Sequence, residues 1–109
     1  MLKFREGHEL EERLEDVKLY INGEFVEATN NGSFDNINPF SNEVINRVAK
    51  GEKVDIDKAV SAAREAFSKG LWGTMKVKER MKYIERIADL IEEEAETIAR
   101  LESLDSGLP

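Results

Sequence analysis

The sequence predicts an α+β fold in which two N-terminal β-ribbons are followed by a helical pair. Two observations carry this prediction. Short extended segments flank the Asn22-Gly23 turn signal, and from Val54 onward the apolar residues recur at helical spacing. The 109-residue chain therefore divides into a charged leader over residues 1–17, a β-ribbon region over residues 18–49 and a helical region over residues 50–109.

The leader is rich in charged residues and poor in apolar ones. Leu10, Leu14 and Val17 follow one another at four- and three-residue spacing, which is enough for a short amphipathic helix. A solvated, partly frayed segment is the preferred interpretation, with His8 as a surface group. The many acidic residues exclude a transit peptide, and the lack of an apolar core excludes a secretory signal.

The first ribbon is predicted from Asn22-Gly23, the dipeptide that best tolerates the positive φ values of a two-residue hairpin turn. Such a turn fixes the pairing of the flanking strands. The predicted cross-strand pairs are Ile21 with Glu24, Tyr20 with Phe25, Leu19 with Val26, and Lys18 with Glu27. Both faces of this hairpin carry apolar side chains, so we expect it to need a partner surface.

The second ribbon is predicted after the loop formed by residues 29–32. A strand over residues 33–38 runs into Pro39, which cannot donate a hydrogen bond to a ladder. Ser41 and Asn42 supply turn residues, and residues 43–49 resume an extended pattern.

The first predicted helix begins near Asp55, which suits the N-cap position, and ends at Gly70. Its apolar stripe consists of Ile56, Ala59, Val60, Ala63, Ala66 and Phe67. In the loop that follows, Trp72 is interpreted as a packing anchor.

The second predicted helix begins near Val77. Its stripe consists of Ile84, Ile87, Ala88, Ile91, Ala95 and Ile98. Leu101 and Leu104 continue at three-residue steps, which indicates a bend or a rotated face near residue 94. Gly107 is predicted to cap the end, and Pro109 would block any continuation.

Composition excludes several classes of function. The net charge is −7, and no basic stripe offsets it, so we expect no nucleic-acid partner. No apolar run approaches the roughly 20 residues that span a bilayer, and we expect no membrane partner. The chain has no Cys, which excludes disulfides, thiolate metal sites and Cys catalysis within it. A cytoplasmic location is the default expectation.

Several segments, in order, resemble the start of the NAD(P)-dependent aldehyde dehydrogenase superfamily. The segments are Leu19–Val26, Ile37-Asn38-Pro39 with Glu43-Val44-Ile45, Asp55–Val60 with Ala62-Ala63-Arg64, then Phe67, Trp72, Glu79-Arg80 and Ala88–Glu92, and finally Leu101–Gly107 with Pro109. One departure is Lys76, where the family often has a Ser or Asp that caps a helix. Helix initiation there is expected to be weaker.

The resemblance implies a parent enzyme that oxidises an aldehyde to a carboxylate with NAD or NADP through a Cys thiohemiacetal. The groups that perform this chemistry lie beyond this chain in the family, so we assign no catalytic and no cofactor-binding residue. The chain is interpreted as the N-terminal portion of such an enzyme, inactive and structural by itself. Its expected partners are the remainder of the parent, including the dinucleotide-binding domain, within a homo-oligomer.

Two alternatives remain at this point. One is a truncated paralogue that acts as a binding or assembly module, for example by docking on a full-length enzyme. The other is an unrelated acidic helical interaction protein. A reading frame that continues past Pro109 would separate the first interpretation from the second. The ending Asp105-Ser106-Gly107-Leu108-Pro109, with Leu108 where many relatives have Lys, resembles that of dehydrogenases of hydroxymuconate-type semialdehydes.

The resemblance also implies a structural monovalent cation. In some family members the ion is held by a backbone carbonyl in the strand before Asn-Pro and by the Asp of the Leu-Asp-x-Gly turn. These positions are Ile37 and Asp105 here, and oxygen ligands suit a hard cation. The alternative is that Asp105 hydrogen-bonds local backbone near a helix end.

Overall fold

A computed structural model describes residues 14–109. Two antiparallel ribbons are followed by three helices, and a 3₁₀ turn over Leu71–Thr74 lies between the first two helices. The elements are β1 (Leu19–Ile21), β2 (Glu24–Val26), β3 (Ser33–Ile37), β4 (Val44–Ala49), α1 (Lys53–Lys69), α2 (Val77–Glu93) and α3 (Ala95–Ser106). The predicted α+β class is confirmed, and the second predicted helix is divided into α2 and α3.

The first ribbon has the predicted register. Leu19 pairs with Val26, Tyr20 with Phe25 and Ile21 with Glu24. Asn22 and Gly23 both have positive φ, at 53° and 79°. The Tyr20 and Phe25 rings lie with their centroids 4.9 Å apart, and Lys18 Nζ lies 3.3 Å from Glu27 Oε1. This hairpin is thus determined by its own turn and cross-strand pairs.

The second ribbon pairs β3 with β4, and its register shifts between Asn36 and Ile37. The chain just before β1 lies alongside β4. The Leu14 N–H donates to the Ile45 carbonyl at 2.9 Å, and Val17 forms a parallel bridge with Val48. The described end of the leader therefore adds hydrogen bonds to one edge of this ribbon. Leu14 and Val17 are not helical, so the amphipathic helix predicted for Leu10, Leu14 and Val17 is wrong at these two residues, because the chain there hydrogen-bonds to β4. The rest of the leader, including His8 and Leu10, lies outside the described residues.

Helix α1 begins earlier than predicted. Glu52, not Asp55, is the N-cap residue, and Asp55 occupies the third helical position. From there the Asp55 carboxylate accepts a hydrogen bond from the Glu52 N–H at 2.9 Å, which is the reciprocal half of a capping box. The N-cap assignment of Asp55 was wrong because an acidic residue can satisfy free N–H groups from inside the first turn as well as from before it.

Gly70 ends α1 as predicted, with its N–H donating to the Ala66 carbonyl at 2.9 Å. The backbone at Gly70 is extended, with φ −72° and ψ 159°, so the helix stops without a left-handed residue. Trp72 then packs its ring edge against Tyr83 of α2, at a centroid distance of 5.9 Å. Trp72 thereby joins the turn to the next helix, although 47% of its surface stays exposed.

The predicted change of direction near residue 94 is confirmed. Glu94 has non-helical angles, φ −104° and ψ 12°, and separates α2 from α3. Helix α3 ends at Gly107, which has φ 71° and whose N–H donates to the Ser103 carbonyl at 2.9 Å. This left-handed glycine is the predicted helix stop.

Few residues are fully covered in the described part of the chain. Ala28 and Ile45 are the buried apolar residues, and Asn38, Asn46 and Asp55 are the buried polar ones. Many large apolar side chains among the described residues are exposed instead, including Phe40 at 82% and Phe67 at 83%. Much apolar surface is therefore available for contact with other protein.

Helix α2 starts without a side-chain cap, as the Lys76 departure predicted. Lys76 is the N-cap residue and makes no capping hydrogen bond, while Glu79 stands at the third helical position. Lys76→Ser would complete a Ser-Val-Lys-Glu capping box. We expect Lys76→Ser to raise the free energy of unfolding by ~0.5–2 kcal/mol in urea denaturation. Lys76→Ala, which removes the charge without adding a cap, is the matched control and should gain less than Lys76→Ser.

Candidate sites at two ribbon–helix junctions

The structure brings the two predicted cation ligands to neighbouring elements. Ile37 ends β3 opposite Val44, and Asp105 lies in the last turn of α3. Asn36, the residue before Ile37, donates its side-chain Nδ2 to Asp105 Oδ1 at 3.0 Å. This hydrogen bond joins residues 69 positions apart, whereas the local alternative predicted a backbone partner near the helix end.

Asn36 is the centre of a short polar network. Its Nδ2 also donates to Asn46 Oδ1 at 3.2 Å, so both hydrogens of this amide have acceptors. Asn46 is 5% exposed, and its own Nδ2 donates to the Glu15 carbonyl at 3.1 Å. The network therefore ties α3, both strands of the second ribbon and the chain before β1 together.

A cavity of about 340 Å³ adjoins this network. Its polar lining comes from Asn36, Asn46, Glu102 and Asp105, and the remaining walls are aliphatic. Among residues 14–109 no group of three or more His, Cys, Asp or Glu side chains is close enough to hold a metal ion. A carboxylate and a nearby strand end match part of an oxygen ligand set for a monovalent ion, and the cation site stays a prediction.

The second junction joins the first ribbon to α1 through Asp55, which is 3% exposed. Asp55 Oδ1 accepts hydrogen bonds from the Thr29 hydroxyl at 2.6 Å and the Thr29 N–H at 3.1 Å. Its Oδ2 accepts from the Glu52 N–H, and Lys58 Nζ donates to the Thr29 hydroxyl oxygen at 3.3 Å. The carboxylate thus satisfies donors from both the loop after β2 and the helix start.

These hydrogen bonds make the junction sensitive to pH. The bond from the Glu52 backbone N–H, then that from the Thr29 hydroxyl, hold the pKa of Asp55 below its usual value, and burial opposes them only in part. A carboxyl whose pKa is lower when folded stabilises the fold above its unfolded pKa of about 3.9, and this stabilisation is lost as the pH falls through the folded value.

We therefore expect the chain to lose stability as the pH falls below about 4, and Asp55→Asn to flatten that dependence and lower stability at pH 7. Urea midpoints measured at several pH values test this. Asp57→Asn is the matched control, since Asp57 forms an exposed ion pair with Lys53 at 2.7 Å. Equal pH profiles for Asp55→Asn and the unmodified chain would contradict the assignment.

A third concave surface lies on α2. A groove of about 480 Å³ is lined by Met75, Glu79, Lys82, Tyr83 and Arg86. Its charged lining side chains are exposed, and Arg86 pairs with Glu93 at 3.0 Å. The groove is open, and its lining does not identify a ligand.

Comparison with known proteins places this fold. The family model of the aldehyde dehydrogenase family matches residues 25–109. The chain belongs to the aldehyde dehydrogenase family. The family predicted from the sequence is thus confirmed, and the matches cover the N-terminal part of the relatives.

Solved and curated aldehyde dehydrogenases give the extent of the similarity. Betaine aldehyde dehydrogenase from Staphylococcus aureus, solved in complex with NAD+, is 46% identical with a TM-score of 0.80, over 83% of this chain and 18% of that one. Mitochondrial benzaldehyde dehydrogenase of Antirrhinum majus is 48% identical over 84% of this chain and 17% of the relative. Cytosolic 10-formyltetrahydrofolate dehydrogenase of Xenopus laevis is 46% identical over 83% and 10%.

The chain thus spans less than a fifth of the length of these relatives. The relatives' names include both cytosolic and mitochondrial proteins, so the cytoplasmic location stays a prediction. Within residues 14–109, no helix has the length and apolar character needed to cross a bilayer.

The start of α1 in this aldehyde dehydrogenase segment does not fit the pyrophosphate of a dinucleotide. Its strand–turn–helix junction, from β4 to α1, is where a pyrophosphate cradle would be sought. Glu52 and Asp55 place carboxylates there, and the Glu52 N–H already donates a hydrogen bond to the Asp55 carboxylate. Negative charge at this helix start repels phosphate, so the residues present do not fit NAD binding at this junction.

Sequence reasoning missed the roles of Thr29, Asn36 and Asn46. Thr29 was assigned only to a loop, and both asparagines only to strands. The one available signal was that Asn36 and Asn46 carry amides inside predicted strands, where a covered amide needs hydrogen-bond partners. Their shared contact with Asp105 depends on the packing of α3, which no local pattern specifies.

Proposed function

We propose that this chain is the N-terminal segment of an NAD(P)-dependent aldehyde dehydrogenase and acts in it as a structural scaffold. The parent would oxidise an aldehyde to a carboxylate through a Cys thiohemiacetal, with NAD or NADP as the hydride acceptor. The chain itself would supply neither the nucleophile nor the cofactor site. Its partners would be the remainder of the parent and the other subunits of a homo-oligomer.

The observation that carries this proposal is the family match over residues 25–109, with a similar fold in an enzyme crystallised with NAD+. The scaffold role is supported by the range of relatives. Proteins named for betaine aldehyde, benzaldehyde and 10-formyltetrahydrofolate share this segment at 46–48% identity. Because this segment is similar to enzymes that are named for different substrates, we infer that it stabilises the fold and does not select the substrate.

The surface of the chain supports the same role. Aromatic and aliphatic side chains on both ribbons and on α2 are exposed, including Tyr20 at 64% and Phe25 at 73%. Contiguous apolar surface of this kind is uncommon on soluble monomers and indicates contact with other protein. In the parent, the dinucleotide-binding domain would supply that contact.

A chimera tests the proposal. Residues 25–109 of this chain replace the matching segment of the Staphylococcus aureus betaine aldehyde dehydrogenase, and NADH production from betaine aldehyde is followed at 340 nm. We expect an active chimera with KM for betaine aldehyde and NAD near those of the unmodified enzyme. The matched control carries Ile87→Glu in the same chimera, which places a charge on the apolar stripe and should prevent assembly.

A folded, oligomeric chimera without activity would contradict the scaffold role. Inactivity of the chain itself is tested separately by calorimetric titration of NAD into the purified 109-residue protein. We expect no binding at micromolar concentrations and no NADH production with aldehydes. Measurable binding or turnover would show that part of the active machinery lies in this segment.

We also propose that the Ile37 carbonyl and the Asp105 carboxylate hold a monovalent cation in the parent, with further ligands from the remaining sequence. In the active chimera, exchange of sodium or potassium for tetramethylammonium should lower the melting temperature. Asp105→Ala should abolish that dependence and reduce stability by ~1.5–3 kcal/mol, the contribution of a hydrogen bond or ligand bond to a charged group. A melting temperature that is unchanged on cation exchange would exclude the site.

The alternative function is a binding or assembly module that docks on a full-length aldehyde dehydrogenase. The large exposed apolar surface is the observation that favours it. Sedimentation of the 109-residue chain with the intact Staphylococcus aureus enzyme distinguishes the two roles. Co-sedimentation at stoichiometric ratio would favour the module, and independent sedimentation would favour the scaffold.

A further inference from the structure

Two of the seven asparagines in the chain, Asn22 and Asn31, directly precede a glycine. Such a dipeptide can modify itself, because the glycine nitrogen can attack the asparagine Cγ and glycine has no side chain to hinder the approach. Asn22 is exposed, and in the described part of the chain its amide has no hydrogen-bond partner. The Gly23 N–H likewise donates to no carbonyl there. Both reacting groups of Asn22-Gly23 are therefore available.

The other five asparagines lack this combination, since each precedes a residue that is not glycine. Asn38 precedes Pro39, whose nitrogen carries no hydrogen. Asn36 and Asn46 donate their side-chain Nδ2 atoms to acceptors at 3.0 Å and 3.1 Å. Attack on the side-chain amide is thus opposed at these positions by bulk, by the missing N–H or by hydrogen bonds.

The turn geometry opposes the same reaction at Asn22 while the first hairpin is closed. Asn22 and Gly23 have φ of 53° and 79°, as in a type I′ turn. The first central residue of such a turn has ψ of about +30°, which places the Gly23 nitrogen nearly opposite the Asn22 Cβ across the Cα–C bond. Ring closure needs both atoms on the same side of that bond. The closed turn therefore holds the reacting groups apart.

We propose that Asn22-Gly23 is a self-modification site whose reaction is controlled by opening of the first hairpin. Two-stranded ribbons are marginally stable in water, so β1 and β2 separate more readily than the rest of the fold opens. Rotation about ψ then brings the Gly23 nitrogen to the Asn22 Cγ. This control depends on the turn and its cross-strand pairs, so it is independent of the parent's remaining sequence and of the proposed function.

The chemistry needs water and no other reactant. The bond from the Gly23 nitrogen to Asn22 Cγ forms, the Cγ–Nδ2 bond breaks, and ammonia leaves with the proton of the Gly23 N–H. Water then hydrolyses one of the two carbonyls of the resulting succinimide. Cleavage of the new bond leaves aspartate at position 22, and cleavage of the original peptide bond leaves isoaspartate.

The isoaspartate product prevents the hairpin from closing in its original register. It inserts one additional methylene into the main chain of a two-residue turn, and the length of that turn determines which residues of β1 and β2 face each other. It also adds a negative charge next to the turn's neighbour Glu24. Modification therefore preserves the open form, and the accumulated product measures how often the hairpin has opened.

Asn31-Gly32 provides an internal control with the same dipeptide in another loop. Asn31 also has positive φ, at 53°. Its N–H donates to the Ala28 carbonyl at 2.7 Å, and the Gly32 carbonyl accepts from the Lys50 N–H at 2.8 Å. These hydrogen bonds do not involve β1, so opening of the first hairpin should increase the reactivity of Asn22 and not that of Asn31.

Peptide mapping by mass spectrometry tests the proposal on the 109-residue chain. Aspartate and isoaspartate at positions 22 and 31 are quantified over time in mildly alkaline buffer, with and without urea. We expect similar rates at both positions in urea, and a severalfold lower rate at Asn22 in the folded chain. Asn22→Gly, which gives a Gly-Gly turn compatible with type I′, should keep the hairpin and yield no product at that position.

A variant that weakens the hairpin tests the control by opening. Phe25→Ala removes the ring that lies 4.9 Å from Tyr20, and should raise the rate at Asn22 by up to about fivefold, as expected for loss of one cross-strand pair. The rate at Asn31 should stay unchanged. Phe67→Ala is the matched control, because Phe67 is similarly exposed but lies on α1, and it should change neither rate.

Three outcomes would overturn the proposal. Equal rates at Asn22 in the folded chain and in urea would show that the closed turn gives no protection. Equal acceleration at Asn22 and Asn31 by Phe25→Ala would assign the reaction to unfolding of the whole chain. Lack of product at position 22 even in urea would exclude the site.

Discussion

Replacement of Gly107 by alanine is expected to lower the free energy of unfolding by ~2–4 kcal/mol, from left-handed strain and overpacking together. Gly107 has φ 71°, where a Cβ is strained. A Cβ there would also lie 2.8 Å from Pro39 Cγ and 3.1 Å from Phe40 N. The substitution therefore disturbs both the end of α3 and its contact with the turn between β3 and β4.

Gly23→Ala separates these two contributions. Gly23 also has positive φ, at 79°, but no atom lies within 4 Å of the position of its Cβ. Gly23→Ala should show the backbone strain alone, about 1–2 kcal/mol. Urea denaturation gives the loss in free energy of unfolding for each variant, and the difference between the two losses is the contribution of crowding at Gly107. Equal losses for the two variants would show that α3 does not press against Pro39 in solution.

Gly70→Ala is expected to destabilise the chain by ~1–3 kcal/mol through overpacking alone. The backbone at Gly70 has ordinary angles, so no left-handed strain is involved. A Cβ there would overlap the Ala66 carbonyl oxygen and lie 3.1 Å from the Ala66 carbonyl carbon. That carbonyl accepts the hydrogen bond that ends α1, so the last turn of the helix must shift to admit the methyl group.

Gly73→Ala is the matched control for this substitution. Gly73 lies three residues away in the 3₁₀ turn, and the nearest atom to its Cβ position is the Phe67 carbonyl oxygen at 3.9 Å. We expect Gly73→Ala to change stability by less than about 0.5 kcal/mol, as for an ordinary surface substitution. A loss at Gly73 as large as that at Gly70 would assign the effect to turn flexibility instead of to the close approach.

Features that depend on neighbouring residues were predictable from the sequence. The Asn22-Gly23 turn determines which residues of β1 and β2 face each other, so the full register followed from two residues. The break at Glu94 followed in the same way from the change in spacing of the apolar residues after Ile98. In each case the physical cause lies within a few positions of the feature that it determines.

Features that depend on distant contacts were not predictable. Asp is a residue type that favours the N-cap position, but the hydrogen-bond partners of Asp55 include Thr29, which is 26 positions earlier. Asp105 meets Asn36 across 69 positions, and only the packing of α3 against the second ribbon brings them together. For the candidate cation site, family resemblance supplied Ile37 and Asp105, whereas spacing along the chain supplied neither.

The Asn36–Asp105 hydrogen bond has a consequence for the order of folding. Each ribbon closes over a short connection, two residues between β1 and β2 and six between β3 and β4, and such hairpins form within about 1–10 μs. The Asn36–Asp105 contact must instead close a loop of 69 residues, with a correspondingly larger loss of chain entropy. Both ribbons can therefore form on a ribosome while the residues of α3 are still being added. The contact between α3 and the second ribbon would then form last. Pulse-labelled hydrogen exchange would detect this order as late protection of the α3 amides.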